Sequence, residues 1–262
     1  ANPMLDWDLS GFASIGAGKL DRDELRFIDF DDDWSLDSDS VLGLQASTDI
    51  SDHWSFLTQV VANGYAYNDE DPYKPELEWF LLQYNYNSDI QFRFGRIRNP
   101  HYFYSNTLEV GYTYTWVRPS VNAYPLFLAP FKHVDGLDAT YYTAFGEMDF
   151  EFQAILGTTE SEYEGSEIDA HYLFGANIIA NWRDFAFRFS GQHIEVSIQA
   201  PGFKVLRDGF RAVAATLTAQ PLAQQSFNSV IDAFEADHQP VTYFSLGAAW
   251  EVKRWTLMSK VM

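Results

Sequence analysis

From Leu5 onward the chain alternates. Leu5, Trp7, Leu9, Ala13 and Ile15 fall on one face of an extended segment, while Asp6, Asp8, Ser10 and Ser14 fall on the other. A period of two over this length predicts a β-strand, because successive side chains leave a strand on opposite sides. The pattern returns along the chain. Leu42, Leu44, Ala46 and Ile50 oppose Gln45, Ser47 and Asp49. Phe80, Leu82, Tyr84 and Tyr86 oppose Gln83 and Asn85, and Ile90, Phe92 and Phe94 oppose Gln91 and Arg93. Phe150, Phe152, Ala154 and Leu156 stand against Asp149, Glu151 and Gln153. Ala170, Tyr172, Phe174, Ala176 and Ile178 stand against Asp169, His171 and Asn177. Phe185, Phe187 and Phe189 oppose Arg188 and Ser190, and Phe244, Leu246, Ala248 and Trp250 oppose Ser245 and Glu251. Weaker segments lie at 54–67, 134–144 and 255–262, and 54–67 carries apolar residues on both faces, leaving its facing open. Eleven strands are expected.

The connections between them alternate in length. Short turns are expected near 50–53, 87–89, 145–148, 181–184 and 252–254, and long ones near 19–39, 68–76, 96–133, 158–166 and 198–240. A soluble sandwich has no reason to sort its connections this way, whereas an outer-membrane barrel has short periplasmic turns and long extracellular loops. Aromatic positions agree. Trp7, Trp54, Tyr84, Tyr86, Phe150, Trp182, Trp250 and Trp255, with Phe92, Tyr141 and Phe185, all lie near the short-turn end. Amphipathic rings collect where bilayer meets water, so these read as the periplasmic girdle of a transmembrane antiparallel β-barrel.

Composition sharpens this. Aromatic residues make up 17% of 262 residues, cysteine is absent and the formal charge is -20. No disulfide or thiolate metal site is possible, and strong acidity argues against nucleic-acid binding. No apolar run reaches the 18 residues of a spanning helix. A barrel escapes that test because its lipid-facing and lumen-facing residues alternate. The start at Ala1-Asn2-Pro3 fits a mature exported chain. Eleven strands leave an odd count, so at least one strand is missing, misread or hidden in a loop. Because the pattern breaks off at Met262, a truncated barrel is expected, one that these residues alone do not close.

Candidate chemistry is sparse. Asp29, Asp31 and Asp33, within the nine acids of 19–39, resemble the opening of a calcium loop, but Trp34 and Ser40 stand where Gly and Glu are needed. A solvated acidic loop is the better reading. In 198–240, Phe210, Val213, Ala214 and Leu217 recur at helical spacing, as do Phe227, Val230, Ile231 and Phe234. Two short amphipathic helices are expected there, docked on the loop's own core. The histidines His53, His101, His133, His171, His193 and His238 show no zinc-ligand spacing. His171 and His193 are expected to be solvated side chains of the lumen. No Gly-x-Ser-x-Gly elbow, Walker loop or dinucleotide loop occurs, so neither catalytic residues nor a cofactor are expected.

The informative stretch is 91–133. It holds Arg93, Arg96, Arg98, Arg118 and Lys132 against Glu109, a local charge of +4, leaving the rest of the chain at -24. It is also the third long connection, and Pro100, Pro119, Pro125 and Pro130 keep it from simple extension.

Within it, Phe94-Gly95-Arg96-Ile97-Arg98-Asn99-Pro100, Tyr104-Ser105-Asn106, Val110-Gly111-Tyr112 and Tyr114-Thr115-Trp116-Val117-Arg118-Pro119 resemble the third-loop region of proteobacterial outer-membrane porins. Ser10-Gly11-Phe12-Ala13-Ser14 is similar to their first strand. Motif likeness covers about a quarter of the chain. The resemblance implies a barrel of about sixteen strands, a homotrimer, and a third loop folded inward as the constriction over 96–133. The chain departs from it in lacking the terminal aromatic residue.

The function expected is passive diffusion of small hydrophilic, anionic solutes across a bacterial outer membrane, in contact with its lipid and lipopolysaccharide. Arg93, Arg96, Arg98, Arg118 and Lys132 would attract anionic groups, with Glu109 opposite and Arg188 adding to the wall. The plainer alternative is that these cations pair with carboxylates and brace the loop. Two other classes remain: a barrel enzyme of lipase or protease type, revealed by hydrolysis, and a soluble carbohydrate-binding β protein, revealed by extraction without detergent.

Overall fold

The computed structural model describes residues 5–22, 24–25, 30–37, 39–64, 72–114, 116, 131–163, 166–216, 225, 237–252 and 255–261. Eleven strands form among them: β1 (Trp7–Ser14), β2 (Val41–Asp49), β3 (Trp54–Asn63), β4 (Glu76–Asn85), β5 (Ile90–Arg98), β6 (His133–Phe145), β7 (Met148–Tyr163), β8 (Ser166–Trp182), β9 (Phe185–Gln199), β10 (Gln239–Val252) and β11 (Trp255–Val261). They make one sheet in chain order from β1 to β11, each strand antiparallel to the next.

The sheet inverts the polarity of a soluble β protein. On β9, Phe185, Phe187 and Phe189 are exposed, and Arg188, Ser190 and Gln192 between them are buried. On β7, Phe152 and Leu156 are exposed, and Gln153 and Ile155 are covered. Register carries the exposed apolar rows from strand to strand: Phe94 opposite Leu137, Leu137 opposite Leu156, Leu156 opposite Phe174, and Ile178 opposite Phe189 opposite Leu246. Water would penalise such a band, while hydrocarbon would not. β3 also resolves: Val60 lies on the outer face, and Gln59 and Val61 on the covered one. The amide of Gln59 donates to Gln45 at 3.0 Å.

Two bulges re-aim side chains. Between β3 and β4, Val60 pairs with Leu77 and Gln59 with Trp79, so Glu78 is the extra residue and is driven into the covered side. Between β8 and β9 the register shifts between Ala170 and Tyr172, making His171 the extra residue. Expectations change here. Ala170 is buried on the covered face, while His193 shares the outer row with Tyr172 and Phe187 and bonds Thr242 at 2.9 Å. His171 and His193 are therefore not a lumenal pair. The long connection expected over 158–166 is also replaced by strand: β7 runs to Tyr163 and β8 starts at Ser166. Glu160 and Glu162 still fit the outer row by parity, which is why polarity read as a loop.

Aromatic rings gather at the short-turn end. Trp54 lies 4.6 Å from Tyr84, Trp182 5.9 Å from Phe185, and Phe185 6.2 Å from Trp250. Trp7, Tyr86, Trp182 and Trp250 are exposed. Phe150 stacks on Phe152 at 5.9 Å, and the side chain of Trp255 lies outside the described ones. At the other end, α1 (Pro201–Thr216) begins at a proline, whose fixed φ suits a first helical turn. Ala214 is buried, while Val205, Leu206 and Val213 are exposed, so α1 is only partly docked. The helix expected around 227–234 lies outside the described residues.

Candidate functional site

The site is built from the end of β5 and the connection that follows it. β5 closes with Ile97 and Arg98, both buried. Gly95, at φ 122°, permits this approach, since a Cβ there would lie 2.2 Å from the Phe80 carbonyl oxygen. The chain then turns at Asn99, whose N–H donates to the Lys132 carbonyl at 2.9 Å. Single-turn 3-10 helices follow at Ser105–Thr107 and Gly111–Thr113.

This connection crosses the covered face of the sheet. The Gln192 amide on β9 donates to Asn99 at 2.6 Å, and Arg188 Nη2 donates to the Pro100 carbonyl at 2.6 Å. Ser190 and Ser245 hydroxyls each donate to the His101 carbonyl at 3.4 Å. Phe103 packs over Gly247 of β10, where a Cβ would stand 2.7 Å from the ring. A Cβ on Gly111 would stand 3.9 Å from Ser14 Oγ of β1. One connection leaving β5 thus meets β9, β10 and β1, so the sheet wraps around it.

Ion pairs fix its root. Glu78, delivered by the bulge, accepts from Arg98 and from Lys132 (Nζ to Oε1, 2.7 Å). Arg98 also pairs with Glu109 and donates from Nε to the Ser105 carbonyl at 2.7 Å; Lys132 pairs with Glu76. Burial opposes the Lys132 ammonium, but Glu78, Glu76 and Glu109 outweigh it and hold its pKa above the usual lysine range. On the wall below, Arg93 Nε donates to both oxygens of Asp138 at 3.0 and 3.1 Å. Asp138 also accepts from Gln153 at 2.6 Å, and the Arg93 guanidinium lies 5.8 Å from the Trp79 ring. Within the connection, burial and then Glu251 raise the Tyr104 pKa; burial, Glu109 and Asp39 raise that of Tyr114.

The structure divides the residues singled out by sequence. Arg93, Arg98, Glu109, Lys132 and Arg188 all belong to the covered side or the root of the connection. Arg96 does not. It falls in the row of Phe80, opposite Asp135, and forms a half-exposed bidentate pair with it, Nε to Oδ1 2.8 Å and Nη2 to Oδ2 2.6 Å. Arg118 lies outside the described residues. Sequence reading missed Glu76, Glu78, Asp135 and Asp138, the partners of these cations, and Asn99, Gln192 and Ser190, which hold the connection down. A carboxylate directly opposite an arginine in register was the one available signal, and it required the strand pairing.

An antiparallel sheet with an apolar outer face, wrapped around an inward connection, is the architecture of outer-membrane channel barrels. The chain is similar over 99% of its length to the outer membrane channel DcaP of Acinetobacter baumannii, at 13% identity and a TM-score of 0.51. It spans 64% of that channel, less than two thirds of its length. OmpT of Vibrio cholerae aligns with 98% of this chain and 74% of its own at 8% identity and a TM-score of 0.35. Its loop-L8 deletion form aligns with 98% and 80% at 9% identity and a TM-score of 0.38. No family profile matches the chain, and no curated protein sequence does.

Proposed function

We propose that this protein is a passive diffusion channel of the bacterial outer membrane, carrying small hydrophilic solutes past a constriction formed by the connection 96–133. The observation that supports it is the inversion of the sheet: an exposed apolar band outside, and polar side chains inside that bind an inward connection. A barrel in lipid needs both. The belt of Trp54, Tyr84, Trp182 and Trp250 marks the periplasmic interface, and the long connections face lipopolysaccharide. Association as a homotrimer rests on the family resemblance.

A preference for anions has narrower support than the charge of the connection implied. Carboxylates from outside it neutralise Arg93, Arg96 and Lys132, and Glu78 shares Arg98 with Glu109. Arg188, on the covered wall, is buried and donates to the Pro100 carbonyl, so it too holds the connection down. The cations are chiefly braces, and the bias they impose is small.

The test is reconstitution. Detergent-extracted protein should give stepwise conductance in planar bilayers, with strand-dominated circular dichroism, and no turnover of ester or peptide substrates. Recovery in aqueous buffer without detergent, or a folded protein with no conductance, would overturn the reading.

A further inference from the structure

Away from the constriction, at the long-connection end of β8, β9 and β10, lies a second constellation. His171 is the extra residue of the β8 bulge, Ser197 is near the end of β9, and Asp237 and His238 immediately precede β10. One ligand atom each from His171, Asp237 and His238 lies within 4.8 Å of the others. The two imidazoles stack face to face, with centroids 4.6 Å apart and planes 7° from parallel.

Ser197 organises them. Its hydroxyl donates to Asp237 Oδ1 at 2.7 Å, so it meets His171 Nε2 at 3.0 Å and the His238 N–H at 3.0 Å as an acceptor. That assigns the proton of His171 to Nε2. His238 Nδ1 donates to the same Asp237 oxygen at 2.8 Å. The nitrogens gathered around Asp237 are His171 Nε2 and His238 Nδ1, so an ion there would take the place of their protons. His171 Nδ1 and His238 Nε2 would carry the N–H instead, as the outer nitrogens of metal-ligating histidines do. His238 holds its ring from a left-handed backbone, φ 49°, a strained conformation retained only where its surroundings impose it. Glu195 stands 3.9 Å from His238 Nε2, and Asp169 is opposite Ser197 in register. The hydrogen bonds from Ser197 and His238 hold the Asp237 pKa below the usual carboxylate range.

We propose that His171, His238 and Asp237, with Glu195 behind the His238 ring at Nε2, form a site for a first-row divalent transition ion of the zinc class. Two imidazoles and a carboxylate suit zinc, nickel or copper, whereas calcium and magnesium demand oxygen donors throughout. Zinc's own ligands, each about 2.0–2.2 Å from the ion, would draw this cluster in by small rotations of exposed side chains. The ion would join the β8 bulge to the residues just before β10 and so pin the far end of the segment that carries α1. Histidine spacing did not show it, because the ligands are 67 residues apart.

The experiment is titration of the detergent-solubilised full chain with zinc chloride by calorimetry, at about pH 7.5 and again about two units lower, below the ordinary histidine pKa. One ion per chain should bind at the higher pH and much more weakly at the lower, since protons compete for the ligands. His171→Gln and His238→Asn, the latter keeping a residue that tolerates positive φ, should each weaken binding at least about tenfold. Ser197→Ala, a positioning residue, should weaken it by about tenfold, and His193→Gln should leave it unchanged. In spectra of histidine-labelled protein, zinc should shift the resonances of His171 and His238 and spare His53 and His193. No saturable binding, or equal weakening by His193→Gln, overturns the site; neither result bears on conductance.

Discussion

The wall over β7 to β10 and the root of the third connection are held by opposite means. In the wall every strand pairs with its sequence neighbour, and the side chains follow period two with little interruption. The root depends on an irregularity: the bulge that turns Glu78 inward, the left-handed Gly95, and buried charges gathered from β4, β5 and the residue before β6. In the wall, the exposed outer row tolerates polar substitution only if that face meets water. The root is all-or-none, because removing the shared carboxylate leaves buried cations short of a counter-charge.

The sharpest way to break this contrast is Glu78→Ala. It strands Arg98 and Lys132 without their shared buried partner and should cost about 3–5 kcal/mol, read by denaturant unfolding in vesicles. A loss under about 1 kcal/mol would show that the pairs are dispensable. Phe187→Arg should come next. Placing a cation at mid-strand on the outer face should cost about 2–4 kcal/mol in vesicles, while Phe187→Leu should be close to neutral. Equal effects would mean that this face does not meet hydrocarbon. Smaller again is the tie between Asn99 and Gln192: a double-mutant cycle through alanine should return a coupling of about 0.5–1.5 kcal/mol. The variants should also open-channel noise upward in planar bilayers; a coupling of zero would place the connection elsewhere. Arg96→Gln should do least, under about 1 kcal/mol with an unchanged reversal potential, since that pair is half exposed on the outer row. A clear swing toward cations would return Arg96 to the pathway.

Legibility followed the same division. Phe185, Phe187 and Phe189 against Arg188 and Ser190 announced β9 and its facing because the signal is local and repeats. The third connection was marked by its prolines and its charge, but counting charge over 91–133 excluded Glu76, Glu78, Asp135 and Asp138, which lie just outside and cancel most of it. Polarity also misled at 158–166. Glu160 and Glu162 read as loop, yet they are outer-row residues of a strand that extends past the apolar band, where charge is no penalty. His171 was misassigned because the bulge there puts Ala170 on the opposite face from Tyr172, and no alternation reveals such a shift in advance.

Because the strands pair only with their neighbours in the chain, most of the wall closes through short turns, the long connections excepted. The clasps on the third connection are different: Pro100 waits for Arg188, 88 residues later, and His101 for Ser245, 144 residues later. Loop-closure entropy delays such distant contacts until the intervening strands are in place. The connection therefore docks only after the strands that clasp it have joined the sheet.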